Sequence, residues 1–268
     1  MKKLFILAAC ALVAAGLVTS SFGQVQVAGT LQVDVDATGS PVGAVAYLTN
    51  SGAMGGVFLA SNNGVAAVTP QIIALGGDGT RGVLLDGNQV SLRHFTDTTG
   101  TTVMLPPTQL TGANPMFSVE VWMYKATIND ETGPVAWGTR TTGQNVSCNW
   151  GRNTGWGGFS WQGGGYDYGW ASVPTAGTWH HLAWTYDGAG NLSLYRDGVL
   201  DKTATQTSVL NVNPAYNIVL GVQHAGTGWF GFAGGVLARV RIHDGVLDAS
   251  QVASNYAYEA PSFTNGTP

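Results

Sequence analysis

Between Asn149 and Trp170 the sequence reads NWGRNTGWGGFSWQGGGYDYGW, which sets six tryptophans and tyrosines among eight glycines. Flat aromatic rings bind sugars by stacking on the C–H faces of the ring, while nearby polar side chains bond the hydroxyls. An apolar platform with a few placed polar groups is what a ligand site requires. The candidates for such a site are Trp150, Arg152, Trp156, Trp161, Tyr166, Asp167, Tyr168 and Trp170, with Asn153 and Gln162 also at hand. Glycine-rich loops are costly to order, which favours a purpose for this one. On this reading, Trp161→Ala and Trp170→Ala weaken glycan binding and leave the fold intact. The alternative is that the rings fill the core or cover it beneath long loops, as Trp and Tyr commonly do.

Glycoside hydrolysis would need more than a platform. Retaining enzymes use two carboxylates about 5–5.5 Å apart across the scissile bond. The chain has three glutamates, Glu120, Glu131 and Glu259, and none stands two or four residues from a second carboxylate on one strand near the aromatic segment. Glu120 shares its strand face with Ser118, Trp122 and Tyr124, so it reads as a structural acceptor for neighbouring side chains. Asp34 and Asp36 are suitably spaced but far from the platform in sequence. No catalytic residue is assigned. His181 shares its strand face with Trp179, Ala183 and Thr185 and reads as a packed, hydrogen-bonded core residue. His94, His224 and His243 are isolated in sequence, which disfavours zinc. Asp86-Gly87-Asn88, Asp97 and Asp130-Glu131 offer oxygen ligands for a structural calcium, yet ordinary turn chemistry explains them equally.

The elements that must position these residues are short strands. Phe117, Val119, Val121 and Met123 share one face of a run, Leu192 and Leu194 one face of another. Val236, Ala238, Val240 and Ile242 alternate with Leu237, Arg239, Arg241 and His243. Asp197-Gly198 is a two-residue hairpin signal, because both central residues need positive φ. One helix is expected near the C-terminus, capped by Asp248 with Gln251 in capping-box position and Val252 and Tyr256 on one face. Pro261 to Pro268 reads as a frayed tail.

Composition agrees with a loop-rich β protein: 10% of the residues are charged and 39 are glycine. Met1-Lys2-Lys3, the apolar run Leu4 to Val18 and the small residues at Ser21-Phe22-Gly23 read as a signal peptide over 1–23. The run is too short to span a bilayer, which takes about 20 residues. A lipoprotein cut before Cys10 is the rival reading. After cleavage nine basic residues face 15 acidic ones, a net charge of −6 with no footprint for nucleic acid. Cys148 is then the one cysteine, so no internal disulfide is available.

Thr178 to Gly198, TWHHLAWTYDGAGNLSLYRDG, resembles the signature hairpin of laminin G-like jelly-roll domains in the concanavalin A-like lectin and glucanase superfamily. Phe117 to Trp122, Ile218 to Gly221 and the closing RVRIHDGVLD fit the same family in order, and Leu31 to Gly87 resembles its opening strands. The resemblance implies an all-β, two-sheet antiparallel β-sandwich over 24–260 with a short C-terminal helix and a tail over 261–268. It also implies recognition rather than catalysis, since the paired-carboxylate motif of the hydrolytic members is missing. Where some members place an acidic calcium ligand, this chain has Ala238-Arg239, and an arginine would repel a cation. The expectation is an exported glycan-binding module, acting outside the cell, at its surface or in the periplasm. Two alternatives remain open at this stage: an adhesive component that binds cell-surface or matrix protein, and a carbohydrate-active hydrolase or lyase.

Overall fold

The computed structural model describes residues 23–61, 69–75, 79–224 and 229–263. The expected signal sequence up to residue 22, Cys10 and residues 264–268 lie outside them. Two antiparallel sheets pack face to face. The first runs in the order Val199–Thr205, Asn191–Arg196, Trp179–Tyr186, Phe117–Tyr124, Gly234–His243, Thr80–Asp86, Gln71–Leu75, Gly43–Ala44. Leu31–Asp36 also pairs with Gly234–His243. The second runs Asp167–Tyr168, Phe159–Ser160, Asn145–Cys148, Val135–Gly138, Val219–Leu220, Ser91–Phe95, Val57–Ser61, Tyr47–Thr49. The all-β sandwich with one C-terminal helix is thus as expected.

Alternation along each strand aims one set of side chains at the interior. Phe117, Val119, Val121 and Met123 from the first sheet meet Phe58, Leu92, Val135, Trp137 and Phe159 from the second in one core. Phe117 lies 5.3 Å edge-on to Trp137 and 6.0 Å from Phe159. The closing strand departs from simple alternation. Its register shifts between Leu237 and Arg239 where it pairs with Phe117–Tyr124. The extra residue turns Leu237 inward with Val240 and Ile242, while Val236 and Ala238 face outward. Arg239, Arg241 and His243 stay on the outer face.

The middle of that outer face is covered. Ala249–Glu259 forms the expected helix, with Asp248 Oδ1 accepting from the Ser250 and Gln251 amides and Gln251 Oε1 accepting from the Asp248 amide. Its buried residues Val252, Asn255 and Glu259 press on the sheet. Glu120 sits at the centre. His181 Nε2 stands 3.2 Å from one carboxylate oxygen, His243 Nε2 3.3 Å from the other, and Asn255 Nδ2 donates to both. The Ala28 amide donates to His243 Nδ1, which puts that ring's proton on Nε2, facing Glu120. Burial would push the Glu120 carboxyl up, but the His181 and His243 ring nitrogens beside it outweigh that and hold the group well below the usual glutamate range. Glu259 is shared by Trp122 Nε1 at 2.8 Å, Arg241 Nη2 at 2.5 Å and Arg239 Nη1 at 3.0 Å. Arg239 also pairs with Asp36 at 2.9 Å. Part of the stretch expected to fray is docked instead: after the turn Ala260–Ser262, Phe263 stacks on Trp122 with centroids 4.0 Å apart.

Candidate functional site

The second sheet's outer face carries an open cleft. Paired in register across four neighbouring strands, Asp167, Ser160, Ser147 and Ala136 point away from the core, since Tyr168, Phe159, Cys148 and Val135 beside them point into it. Part of this face is covered by the hairpin formed from Gln223–His224 and Trp229–Phe230, because Trp229 packs on Ala136, Val219 and Val222. Next to the hairpin lies a cleft of about 560 Å³ lined by Glu131, Arg140, Trp156, Gln162, Asp167 and Phe230, with glycines completing its wall. Trp156 is 43% exposed and Phe230 45%.

Each lining group is held by its surroundings. Asn153 Oδ1 accepts from the Gly155 and Trp156 amides, fixing the turn that presents the indole. Asp167 accepts from Ser160 Oγ at 2.7 Å, the Gln162 amide at 2.9 Å and the Gly163 amide at 3.0 Å. These bonds clamp Gln162 at φ +74°, left-handed backbone that non-glycine residues seldom adopt. Strain of this kind persists only where the surroundings impose it, and it clusters at binding sites. Glu131 accepts from Gln223 Nε2 at 2.8 Å and lies 3.7 Å from Arg140 Nη2. The Arg140 guanidinium stacks over the Phe230 ring at 3.7 Å.

Of the eight residues proposed from sequence, Trp156 and Asp167 line this cleft. Trp150, Trp161 and Trp170 do not, and their expected exposure is corrected: the first two have no accessible surface and Trp170 is 4% exposed. Trp161 is wedged against Phe159 and Tyr186, Trp170 against Trp184. The Trp150 indole donates to Pro174 O, and that of Trp170 to Asn149 O. The glycines explain the inward turn. A Cβ at Gly169 would stand 2.2 Å from Thr154 O, and one at Gly151 2.2 Å from Asp130 O, so backbone segments close over the core where side chains would hold them apart. The expectation that Trp161→Ala and Trp170→Ala spare the fold therefore fails. Tyr166 and Tyr168 are half-buried against the core, with Tyr168 Oη donating to Thr205 O. Arg152 is outside the cleft, in an exposed pair with Asp130.

Three lining residues escaped sequence reasoning. Arg140 and Phe230 carried no local signal beyond the aromatic and glycine texture of Trp229-Phe230-Gly231-Phe232, and Glu131 was noticed only as a turn acidic residue. Among the described residues, no group of three or more His, Cys, Asp or Glu is arranged to hold a metal ion. No described helix is long and apolar enough to cross a membrane.

A two-sheet sandwich with an open outer face defines the class, and sequence comparison agrees. The chain belongs to the concanavalin A-like lectin/glucanases superfamily: residues 97–253, more than half of the 268, match its laminin G-type family model. No curated protein matches by sequence. Among solved structures it is similar to domain 4 of AbnA, a GH43 extracellular arabinanase from Geobacillus stearothermophilus, in complex with arabinotriose (TM-score 0.57, 19% identity, 85% of this chain and 99% of that one). It also resembles the binding domain of Paraclostridial Mosquitocidal Protein 1 (TM-score 0.53, 12% identity, 85% and 52%) and the botulinum neurotoxin serotype D binding domain (TM-score 0.51, 12% identity, 86% and 52%). The chain spans about half the length of the latter two. At these identities the likeness is one of fold.

Proposed function

We propose that this protein is an exported, non-catalytic carbohydrate-binding module that takes its ligand in the cleft between Trp156 and Phe230. One observation carries the reading: two exposed aromatic rings border a single open cleft whose remaining side chains are two carboxylates, an amide and a guanidinium. Rings supply a stacking surface, and the polar groups supply bonds for hydroxyls. The likeness to a domain described in complex with arabinotriose supports the same direction. Trp156→Ala removes the larger ring without touching the core. Affinity for the saccharides the protein binds, measured by calorimetry against a panel led by arabinotriose, should fall at least about tenfold, or 1.4 kcal/mol. Unchanged affinity would sink the proposal. No cofactor is invoked, so binding should be the same in EDTA.

A second reading, glycan hydrolysis, has Glu131 and Asp167 in one cleft in its favour. Both are already engaged, Asp167 by three donors and Glu131 by Gln223 and Arg140, and Asp167 sits three strands from the one that follows Glu131. Release of reducing ends from a polysaccharide, lost in both Glu131→Gln and Asp167→Asn, would establish it instead.

A further inference from the structure

The polar make-up of the cleft bears on which saccharides it can hold. Two carboxylates face one guanidinium, so the site is one unit negative at neutral pH. That guanidinium is also committed. Its Nη2 lies 3.7 Å from Glu131, its flat face is stacked on Phe230, and its Nε is buried without a partner. The neighbouring Arg152 is itself paired with Asp130 and adds no net charge.

The hydrogen-bonding groups lean the same way. Gln162 Oε1 is buried without a donor, and so are Gln223 Oε1 and Asn145 Oδ1 on the same face. For Gln223 the assignment is fixed by its neighbour, because Nε2 must face the Glu131 carboxylate. In Asn145 the amide nitrogen faces Ser160 O. A buried acceptor without a donor is costly, and a group that brings hydrogen relieves it. Three amide oxygens thus stand unpaired on this face against two buried guanidinium nitrogens, Arg93 Nε and Arg140 Nε, whose groups lie against Trp229 and Phe230. Sugar hydroxyls donate, whereas uronate and sulfate groups bring only acceptors and negative charge.

We infer that the cleft selects neutral, hydroxyl-rich saccharides and rejects acidic ones. This rests on the carbohydrate-binding reading and adds the ligand class to it. Rejection comes from like charge and unsatisfied acceptors, the repulsive side of specificity. Attraction comes from stacking on the two rings and from hydroxyls donated to the Glu131 and Asp167 carboxylates that line the same cleft.

The test uses the full chain and two probe sets: neutral arabinotriose, xylotriose and maltotriose, and acidic trigalacturonate and sialyllactose. Calorimetric titration should find at least one neutral probe bound at least about tenfold tighter than either acidic one. Affinity for the neutral probe should be insensitive to salt, since no ion pair forms with it. Glu131→Gln frees Arg140, and acidic probes should gain about tenfold, an advantage that salt removes. Tighter binding of an acidic probe by the wild-type protein, weakened by salt, would overturn the inference while leaving the carbohydrate reading in place. No binding of any probe would remove both. The salt comparison on the wild-type chain needs no variant, so poor folding of Glu131→Gln leaves the test intact.

Discussion

On the outer face of the first sheet, Trp122, His181, Arg241 and Glu120 lie beneath the C-terminal helix; on the outer face of the second, Trp156, Arg140 and Glu131 stand at an open cleft. The ingredients are nearly the same. Under the helix, both Glu120 oxygens, Glu259 and the Trp122 indole have partners within 3.3 Å, and Phe263 seals the rings. In the cleft, both rings are exposed and Gln162 Oε1 lacks a donor. Residue type does not separate structure from function here, and neither does pairing alone, since His181 Nδ1 also lacks a partner beneath the helix. Cover does.

The comparison can be broken most severely at Glu120. Replacing it with alanine strands two histidines and Asn255 in the interior, and breaking a buried charged cluster costs about 3–5 kcal/mol. Urea denaturation should show that loss, while the folded fraction keeps its saccharide affinity. A loss of affinity without a loss of stability would reverse the roles assigned to the two faces. Trp161→Ala should cost a similar amount, about 3–5 kcal/mol, by opening a cavity among Phe159 and Tyr186. Trp156→Ala, by contrast, should change stability by no more than about 0.5 kcal/mol while affinity falls about tenfold. Measuring both variants by both methods places each tryptophan on its side of the comparison.

Acid acts on groups of the two sheets in different windows. Burial holds the His94 ring neutral, pushing it down to about 4, and burial with the nearby Arg93 does the same for His224. The unfolded chain binds those protons near the ordinary value of 6.5, so stability falls as pH drops from there towards 4. Glu120 is depressed as well, and its contribution, complete above the usual 4.5, is lost as pH falls further. Denaturation midpoints across this range should decline in both windows, and Glu120→Gln should flatten the lower one. The smallest effect is expected at the helix start: Asp248→Ala removes the oxygen that accepts from the Ser250 and Gln251 amides and should cost about 1 kcal/mol in the same assay.

Much of the scaffold was legible because it obeys local rules. The Asp197-Gly198 turn has φ of +51° and +76°, and the Asp248 capping box forms in full. Local alternation failed at the closing strand, where a bulge turned Leu237 inward and Ala238 outward; nothing in Val236 to Ile242 announces the extra residue. The site was half legible. Trp156 and Asp167 stood out, but the same segment offered Trp150, Trp161 and Trp170, and glycine spacing alone could not say that three of its rings turn inward. Glu131, Arg140 and Phe230 come together across up to 99 residues of sequence through sheet pairing and the pairing of Gln223–His224 with Trp229–Phe230, information that no local window contains. His181 and His243 converge on Glu120 for the same reason, although His243 looked isolated in sequence and His181 read only as a packed core residue.

The most direct test of the central claim follows the indole N–H signals of the nine tryptophans by nitrogen-edited NMR during titration with arabinotriose and the other neutral trisaccharides. The open cleft predicts that the Trp156 signal moves with saturable dependence on the tightest probe, while those of Trp150, Trp161 and Trp170 stay in place. Movement of the buried signals with Trp156 unmoved, or no movement with any probe, would contradict it.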